Sequence, residues 1–123
     1  RGFLPKLSNA LMLGLSFKEN CPDTRNSKSF DTLSLLSNKV LNIDVFDPLA
    51  ITDKDSFKSI NKSNLKILKK LPKKRKYNLI IISVSHTIFK KIGAETVKSL
   101  GSKNAVIFDV KGLFSSKNNF IRL

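Results

Sequence analysis

A polar stretch near the start of the chain carries the side chains best suited to binding an anion. It reads FKENCPDTRNS, covers Phe17–Ser27, and contains two cations, Lys18 and Arg25. Lysine and arginine side chains, together with the free N–H groups at the start of a helix, are donors with which proteins hold phosphate. The stretch therefore predicts a loop that binds phosphate or another anion.

The elements on either side place this loop where ligands bind in α/β proteins. The apolar run Ala10–Leu15 predicts a buried strand, and Ser27–Lys39 predicts a helix with one apolar stripe. That stripe consists of Phe30, Leu33, Leu36 and Val40. A second strand follows at Asn42–Asp47, in which two apolar residues alternate with an acid and an aromatic: Ile43 and Val45 against Asp44 and Phe46. Strand, helix and strand imply a parallel pair with a right-handed crossover, whose carboxyl ends gather ligands.

The rest of the chain continues this alternation of strands and helices. Asn78–Val84 is the strongest predicted strand, because most of its residues are β-branched. The other predicted elements are a helix at Asp53–Ile60, an edge strand at Ser63–Leu68 that also fits a helical turn, short helices at His86–Ile92 and Glu95–Leu100, the second ended by Gly101, and strands at Ala105–Asp109 and Asn119–Leu123. Together these elements predict a small doubly wound α/β domain, a mostly parallel sheet of four or five strands with helices on both faces.

Four motifs, in this order along the chain, resemble those of a known family. They are LMLGLSFKENCPDTRNSK at Leu11–Lys28, VFDP at Val45–Pro48, IISVSHTIFK at Ile81–Lys90 and VIFDVKG at Val106–Gly112. Together they resemble the C-terminal, UDP-binding domain of the UDP-glucose/GDP-mannose (nucleotide-sugar 6-) dehydrogenase family. The ENCPD…RN wording is most similar to the bacterial branch that oxidises UDP-N-acetylhexosamines for surface polysaccharides such as capsule and O-antigen. The resemblance implies a Rossmann-like UDP-binding domain over residues 10–123, with residues 1–9 as a linker or the end of a preceding element.

The resemblance gives roles to three residues of the polar stretch. It implies that Phe17 and Lys18 contact the nucleotide-sugar substrate, and that Arg25 reaches the NAD bound by a neighbouring N-terminal domain. A planar guanidinium suits a pyrophosphate or a ribose edge. From the residues alone, two other readings stay open: Lys18 is a surface lysine, and Arg25 forms an ion pair with Asp23 or Glu19.

A third basic residue, Lys111, is expected at the same site. It follows a predicted buried strand, in the region where the family places a basic residue against the substrate within an FDGR-like motif. This chain has DVK there, so Lys111 keeps the positive charge but loses the forked geometry of arginine.

The single cysteine and the single histidine receive no role in catalysis. The catalytic cysteine of the family belongs to an FGGSCFPKD-like motif of a central domain, and this chain has no such motif, so Cys21 is interpreted as a structural or incidental thiol. His86 is either a ligand-facing residue at a strand end or a polar residue at a helix start, and it stays unassigned. One histidine without a cluster of cysteines or acids does not predict a metal site.

The charge of the chain raises a second possible kind of partner. The 123 residues carry a net charge of +14, which would suit a nucleic acid. The cations are 19 lysines and only 4 arginines, whereas base recognition favours arginine, so a basic nucleic-acid-binding module is the less favoured reading. The densest basic run, Lys62–Lys76, is interpreted first as a solvated face, and otherwise as a field that attracts a UDP-sugar or an anionic partner.

The resemblance also implies an activity for the whole enzyme. Family members oxidise C6 of a UDP-sugar twice, with two NAD, to a uronic acid, and use a thioester on the central-domain cysteine. Because this chain has neither that motif nor a GxGxxG fingerprint, we expect no catalytic residue in it and no catalysis by it alone. The expected partners are a UDP-sugar of undetermined identity and the N-terminal and central domains of an enzyme that is usually a homodimer.

Location and the remaining alternative follow from simple features. A single cysteine fits a reducing cytoplasm, and no apolar run approaches the roughly 20 residues of a membrane helix. The start of the chain is not expected to be a signal peptide. The main alternative to a dehydrogenase domain is a stand-alone domain that binds a nucleotide or nucleotide-sugar without catalysis.

Overall fold

The computed structural model describes residues 8–15, 20, 28–49, 64–73, 76–114 and 120–122. The strands within these ranges are β1 (Asn9–Leu13), β2 (Asn42–Phe46), β3 (Leu65–Leu68), β4 (Tyr77–Ile82), β5 (Gly101–Asp109) and β6 (Ile121–Arg122). The helices are α1 (Lys28–Ser37), α2 (Thr87–Ile92) and α3 (Ala94–Leu100). The predicted helix at Asp53–Ile60 lies outside the described residues.

All the described strands run parallel in one sheet, in the order β3-β2-β1-β4-β5-β6. The chain moves outward from β1 to β3 and then returns to place β4 on the other side of β1. In open α/β sheets this reversal of strand order marks the crevice where ligands bind. The last residue of β1, Leu13, pairs with Phe46 of β2 and Ile82 of β4, so three strands end side by side at this point.

Each face of the sheet is covered by a core of its own, because successive side chains of a buried strand point to opposite faces. On one face α1 inserts Leu33 among the following strand residues: Ala10, Met12, Ile43 and Val45. On the other face α2 and α3 pack Phe89, Val97 and Leu100 against four strand residues: Leu11, Leu13, Ile80 and Ile82. The prediction of a small doubly wound α/β domain with helices on both faces is confirmed.

The largest differences from the predicted elements concern two strands. β5 begins at Gly101, four residues before its predicted start, because Gly101 both caps α3 and pairs with Tyr77. In β2 the alternating pattern assigned no environment to Asp44, which is buried together with Val45. Asp44 is buried because it accepts a 2.6 Å hydrogen bond from the Tyr77 hydroxyl, with the Lys76 ammonium 3.4 Å away. Burial and the neighbouring carboxylate raise the pKa of Tyr77 well above its ordinary value.

Side chains also join four neighbouring strands at the amino-terminal edge of the sheet. The Asn42 amide donates to Asn9 Oδ1 at 3.1 Å, and the Asn9 backbone N–H donates to Asn78 Oδ1 at 2.9 Å. The Asn78 amide in turn donates to Ser102 Oγ at 3.4 Å. These bonds run across β2, β1, β4 and β5, at the end of the sheet opposite the expected ligand edge.

Candidate functional site

The candidate site lies at the carboxyl-terminal edge of the sheet, where the loops after β1, β2 and β4 meet. The backbone N–H of Gly14, one residue past β1, donates to Phe46 O at 3.0 Å, and that of Ser83, one residue past β4, donates to Leu13 O at 2.9 Å. The Ser83 hydroxyl also donates to Gly14 O at 2.7 Å and lies 3.2 Å from the Ser29 hydroxyl of α1. The start of the first loop, at Gly14, is therefore fixed to both of its neighbours.

Gly14 is required by this close approach. It has a φ of +100°, a conformation that L side chains rarely adopt. A Cβ at this position would lie 2.7 Å from Val84 Cβ and 2.9 Å from the Val84 backbone nitrogen. The glycine thus allows the close contact between the loops after β1 and β4.

A buried pair, Asp47 and His86, lies beneath these loops. Asp47 directly follows β2, His86 precedes α2, and their side chains are 1% and 0% exposed. His86 Nε2 lies 2.9 Å from Asp47 Oδ2. The same Asp47 oxygen accepts the backbone N–H of Leu15 at 2.7 Å, and the other oxygen accepts that of Leu49 at 2.9 Å. One carboxylate therefore holds the loops after β1, β2 and β4 together.

The second nitrogen of His86 extends this network to Asn20. His86 Nδ1 accepts the Asn20 backbone N–H at 2.8 Å, so the hydrogen bonds place the ring's proton on Nε2, facing Asp47. The Asn20 side chain donates to Thr87 Oγ1 and accepts the Thr87 backbone N–H, both at 2.9 Å. Asn20 has a φ of +58°, which asparagine tolerates better than most residues. Asn20 is thereby fixed by three hydrogen bonds to the start of α2.

The loop after β5 is organised by a second buried acid at the same edge, Asp109. Asp109 is 0% exposed, and its two oxygens accept the backbone N–H groups of Leu113 and Phe114, each at 2.9 Å. This arrangement fixes the turn that carries Lys111. Lys111 itself is exposed and forms no hydrogen bond or ion pair within the described part of the chain, so its ammonium group faces solvent at the ligand edge.

Four residues singled out from the sequence lie outside the described residues: Phe17, Lys18, Cys21 and Arg25. Of the predicted site, the structure therefore shows Lys111 and the two positions that bracket Phe17 and Lys18 in the chain, Leu15 and Asn20. Sequence reasoning assigned no role to Asp47 or His86. A signal was present, because each follows a predicted strand of one parallel sheet, whose carboxyl ends must share an edge.

The pH dependence of stability should report on Asp47. Burial would raise the pKa of this carboxyl, but the hydrogen bond from His86 and those from the N–H groups of Leu15 and Leu49 lower it from 3.8 to about 2. A lowered pKa stabilises the fold above the unfolded value, and that contribution is lost as pH falls through the folded value. We expect about 2 kcal/mol of unfolding free energy to disappear between about pH 4 and pH 2. Urea unfolding at several pH values, compared with an Asp47→Asn variant that lacks this titration, measures the difference.

A cleft of about 380 Å³ opens at the opposite, amino-terminal edge. Its wall includes Asn9, Asn42, Asp44, Lys76 and Tyr77. These polar groups already bond to one another, as the Asp44 bonds and the Asn42–Asn9 contact show. Because the cleft lies at the end of the sheet away from the strand-order crevice, we place the candidate site at the carboxyl edge.

Among the described residues, no helix combines the length and the apolar character that crossing a bilayer requires. Within the same ranges, no three histidine, cysteine or acidic side chains come together as metal ligands.

Comparison with known proteins gives a match over most of the chain. Residues 11–116 match the model of the UDP-glucose/GDP-mannose dehydrogenase family, UDP binding domain. The chain is 34% identical over 116 residues to the UDP-N-acetyl-D-glucosamine 6-dehydrogenase of Pseudomonas aeruginosa. This match covers 94% of this chain and 26% of that protein. It is 34% identical over 108 residues to Protein CapL of Staphylococcus aureus, and this match covers 85% of this chain and 23% of that protein. The chain thus spans about a quarter of the length of these curated relatives.

Solved structures of similar fold include those of two dehydrogenases. An NDP-N-acetyl-D-galactosaminuronic acid dehydrogenase from Methanosarcina mazei superimposes with a TM-score of 0.75 at 21% identity, over 99% of this chain and 25% of that one. The UDP-N-acetyl-mannosamine dehydrogenase Cap5O from Staphylococcus aureus superimposes with a TM-score of 0.64 at 23% identity, over 89% of this chain and 24% of that one. At these identities the structures support the fold.

Proposed function

The chain belongs to the UDP-glucose/GDP-mannose dehydrogenase family, as its UDP binding domain, and from this premise we propose that it binds the UDP part of the substrate of an NAD-dependent UDP-sugar 6-dehydrogenase. The observation that carries the proposal is the family match over residues 11–116. The loops fixed at the carboxyl edge of the sheet support it, since that edge is where α/β domains bind nucleotides. The bacterial relatives favour a UDP-N-acetylhexosamine over other UDP-sugars.

In this proposal the basic residues of the carboxyl edge bind the diphosphate. Lys18 and Phe17 contact the UDP-sugar from the first loop, and Lys111 contributes a second cation from the loop after β5. A lysine ammonium is a compact charge that suits phosphate oxygens. The exposed position of Lys111 supports this role, because its ammonium has no competing partner among the described residues.

The chain does not fit NAD as a ligand of its own, because its sequence has no GxGxxG fingerprint with which to approach a cofactor pyrophosphate. We therefore assign NAD to a separate N-terminal domain, with Arg25 as the one residue of this chain that reaches it. The whole enzyme would oxidise the sugar to a uronic acid in the cytoplasm as a homodimer, and this chain alone would bind without catalysing.

Titration of the isotope-labelled chain with UDP tests the proposal. We expect amide shifts within Phe17–Ser27 and near Lys111 at millimolar UDP. Lys18→Ala should weaken binding about tenfold, the loss of one charge-assisted contact. Lys103→Ala is the matched control, because Lys103 is an exposed lysine near the opposite end of β5 and should not affect binding. The absence of any shift in the first loop would contradict the proposal.

A further inference from the structure

We propose that Asp109 is a positioning residue for Lys111: its buried carboxylate holds the turn after β5 in the conformation from which the Lys111 ammonium contacts a diphosphate. The inference rests on the proposed function and adds to it the residue that determines how much Lys111 contributes to binding. Asp109 is 0% exposed, so it cannot contact a ligand itself. It acts through the backbone of the turn.

Both carboxylate oxygens of Asp109 bind this turn. Oδ1 accepts the backbone N–H of Leu113, and Oδ2 accepts that of Phe114, each at 2.9 Å. The backbone oxygen of Asp109 accepts the Gly112 N–H at 3.2 Å. Within the described ranges, the hydrogen bonds of this carboxylate therefore all go to the turn. A single buried residue holds the three positions that directly follow Lys111 in the chain.

Contacts at the two ends of the turn fix it further. At its start, the Val110 N–H donates to Ile82 O at the end of β4, at 3.1 Å. At its end, the Phe114 ring is buried in the core and packs edge-to-face against Phe120, with ring centroids 5.8 Å apart. Gly112 has a φ of +65°, a left-handed conformation that lets the chain reverse between these two contacts. The turn is therefore ordered by the fold itself.

Lys111 is the exposed residue of this turn, whereas the residues on either side of it are buried or half-buried. Asp109, the last residue of β5, pairs with Ile82 of β4, which pairs in turn with Leu13, the last residue of β1. Lys111 therefore lies two residues beyond the row in which β1 and β4 end. The turn presents its cation at the edge of the sheet where the diphosphate is proposed to bind.

A fixed turn reduces what the Lys111 contact costs in conformational entropy. A lysine side chain is long and flexible, so it loses rotamer freedom when it binds phosphate. A mobile backbone would add its own ordering cost at the moment of association, and a turn ordered by the fold avoids that loss. Hydrogen bonds to a buried carboxylate are stronger than neutral ones in water, so they maintain this order. A chain without the Asp109 carboxylate would keep the charge of Lys111 but bind UDP more weakly.

A double-mutant cycle between Asp109 and Lys111 tests the inference. Asp109→Asn replaces one acceptor oxygen by an NH2 donor, so it can accept only one of the two N–H groups. The UDP dissociation constant is measured for the unaltered chain, Asp109→Asn, Lys111→Ala and the double variant. We expect binding to weaken about tenfold in Lys111→Ala, the loss of one charge-assisted contact, and several-fold in Asp109→Asn. The double variant should bind no more weakly than Lys111→Ala, because Asp109 acts only through Lys111.

Two further measurements separate positioning from a general loss of stability. Hydrogen exchange of the Leu113 and Phe114 amides should be faster in Asp109→Asn, with or without UDP. Asp44→Asn is the matched control, because it alters another buried carboxylate, which bonds to the Tyr77 hydroxyl at the opposite edge of the sheet. It should lower the free energy of unfolding and leave the UDP dissociation constant unchanged.

A second variant keeps the test decisive if Asp109→Asn does not fold. Gly112→Ala leaves the carboxylate in place but puts a Cβ on a left-handed residue of the same turn, so it should also weaken UDP binding, and only where Lys111 is present. If Lys111→Ala binds UDP unchanged, or if the losses in the double variants multiply, the positioning role is wrong while the proposed function stands. If UDP does not bind the unaltered chain, both are wrong.

Discussion

Gly14→Ala is expected to lower the free energy of unfolding by about 3 kcal/mol or more. Two costs combine at this position. An alanine would have to adopt a φ of +100°, which costs roughly 1–3 kcal/mol for a residue with a Cβ. Its methyl group would also lie 2.7 Å from Val84 Cβ and 2.9 Å from the Val84 backbone nitrogen, and over-packing of this kind costs roughly 1–3 kcal/mol. Urea unfolding of both chains measures the loss.

Gly93→Ala is the matched control for this prediction. Gly93 has nearly the same φ, +93°, but nothing lies within 4 Å of the Cβ position. It therefore carries the conformational cost without the steric one, and Gly93→Ala should lose only that cost, roughly 1–3 kcal/mol. The difference between the two variants measures the contact between the loops after β1 and β4. Equal losses would mean that Val84 moves aside at no cost, and the close approach would then have no energetic importance.

Asp47→Ala should destabilise the protein by about 3–5 kcal/mol, the range observed when one partner of a buried ion pair or hydrogen-bonded group is removed. The variant leaves three donors without their acceptor: His86 Nε2 and the N–H groups of Leu15 and Leu49. Because these donors belong to three loops, the damage should be seen at the whole carboxyl edge. Hydrogen exchange should increase for the Leu15 and Leu49 amides before it increases in the core strands.

Glu95→Gln provides the corresponding control at the surface. The Glu95 side chain is 88% exposed and meets Lys98 at 3.4 Å, an ion pair of the kind that contributes little to stability. We expect almost no change in its unfolding midpoint. If Asp47→Ala were as mild as Glu95→Gln, the buried carboxylate would not be holding the loops, and the acid-dependent loss of stability predicted for Asp47 would also be absent.

The parts of the fold that the sequence predicts well are those with the strongest apolar patterns. The buried strands β1 and β4 and the helix α1 agree with their predicted ranges within a few residues, since continuous apolar runs and a single helical stripe leave few alternatives. The burial of Asp44 was not predicted, because it depends on the distant Tyr77 hydroxyl. No local pattern contains that information.

The candidate site was predictable only in part, for a related reason. The sequence indicates which loops meet at the carboxyl edge, and from them it correctly places Lys111 at that edge of the sheet. It does not show that Asp47 and His86, 39 positions apart, form a buried pair. Each looks like an ordinary residue at the end of an element. Their relation depends on which strands are neighbours, and only the strand order β2-β1-β4 supplies it.

The side-chain bonds at the amino-terminal edge have an evolutionary consequence. Asn42, Asn9, Asn78 and Ser102 align four strands from the end at which no substrate is proposed to bind. Sliding any of these strands along its neighbour would separate the bonded groups, so alignment is enforced there. Mutations, insertions and deletions in the loops at the other end are then free to alter ligand preference without misaligning the strands beneath them. A domain of this design can diversify its ligand preference while its scaffold stays constant.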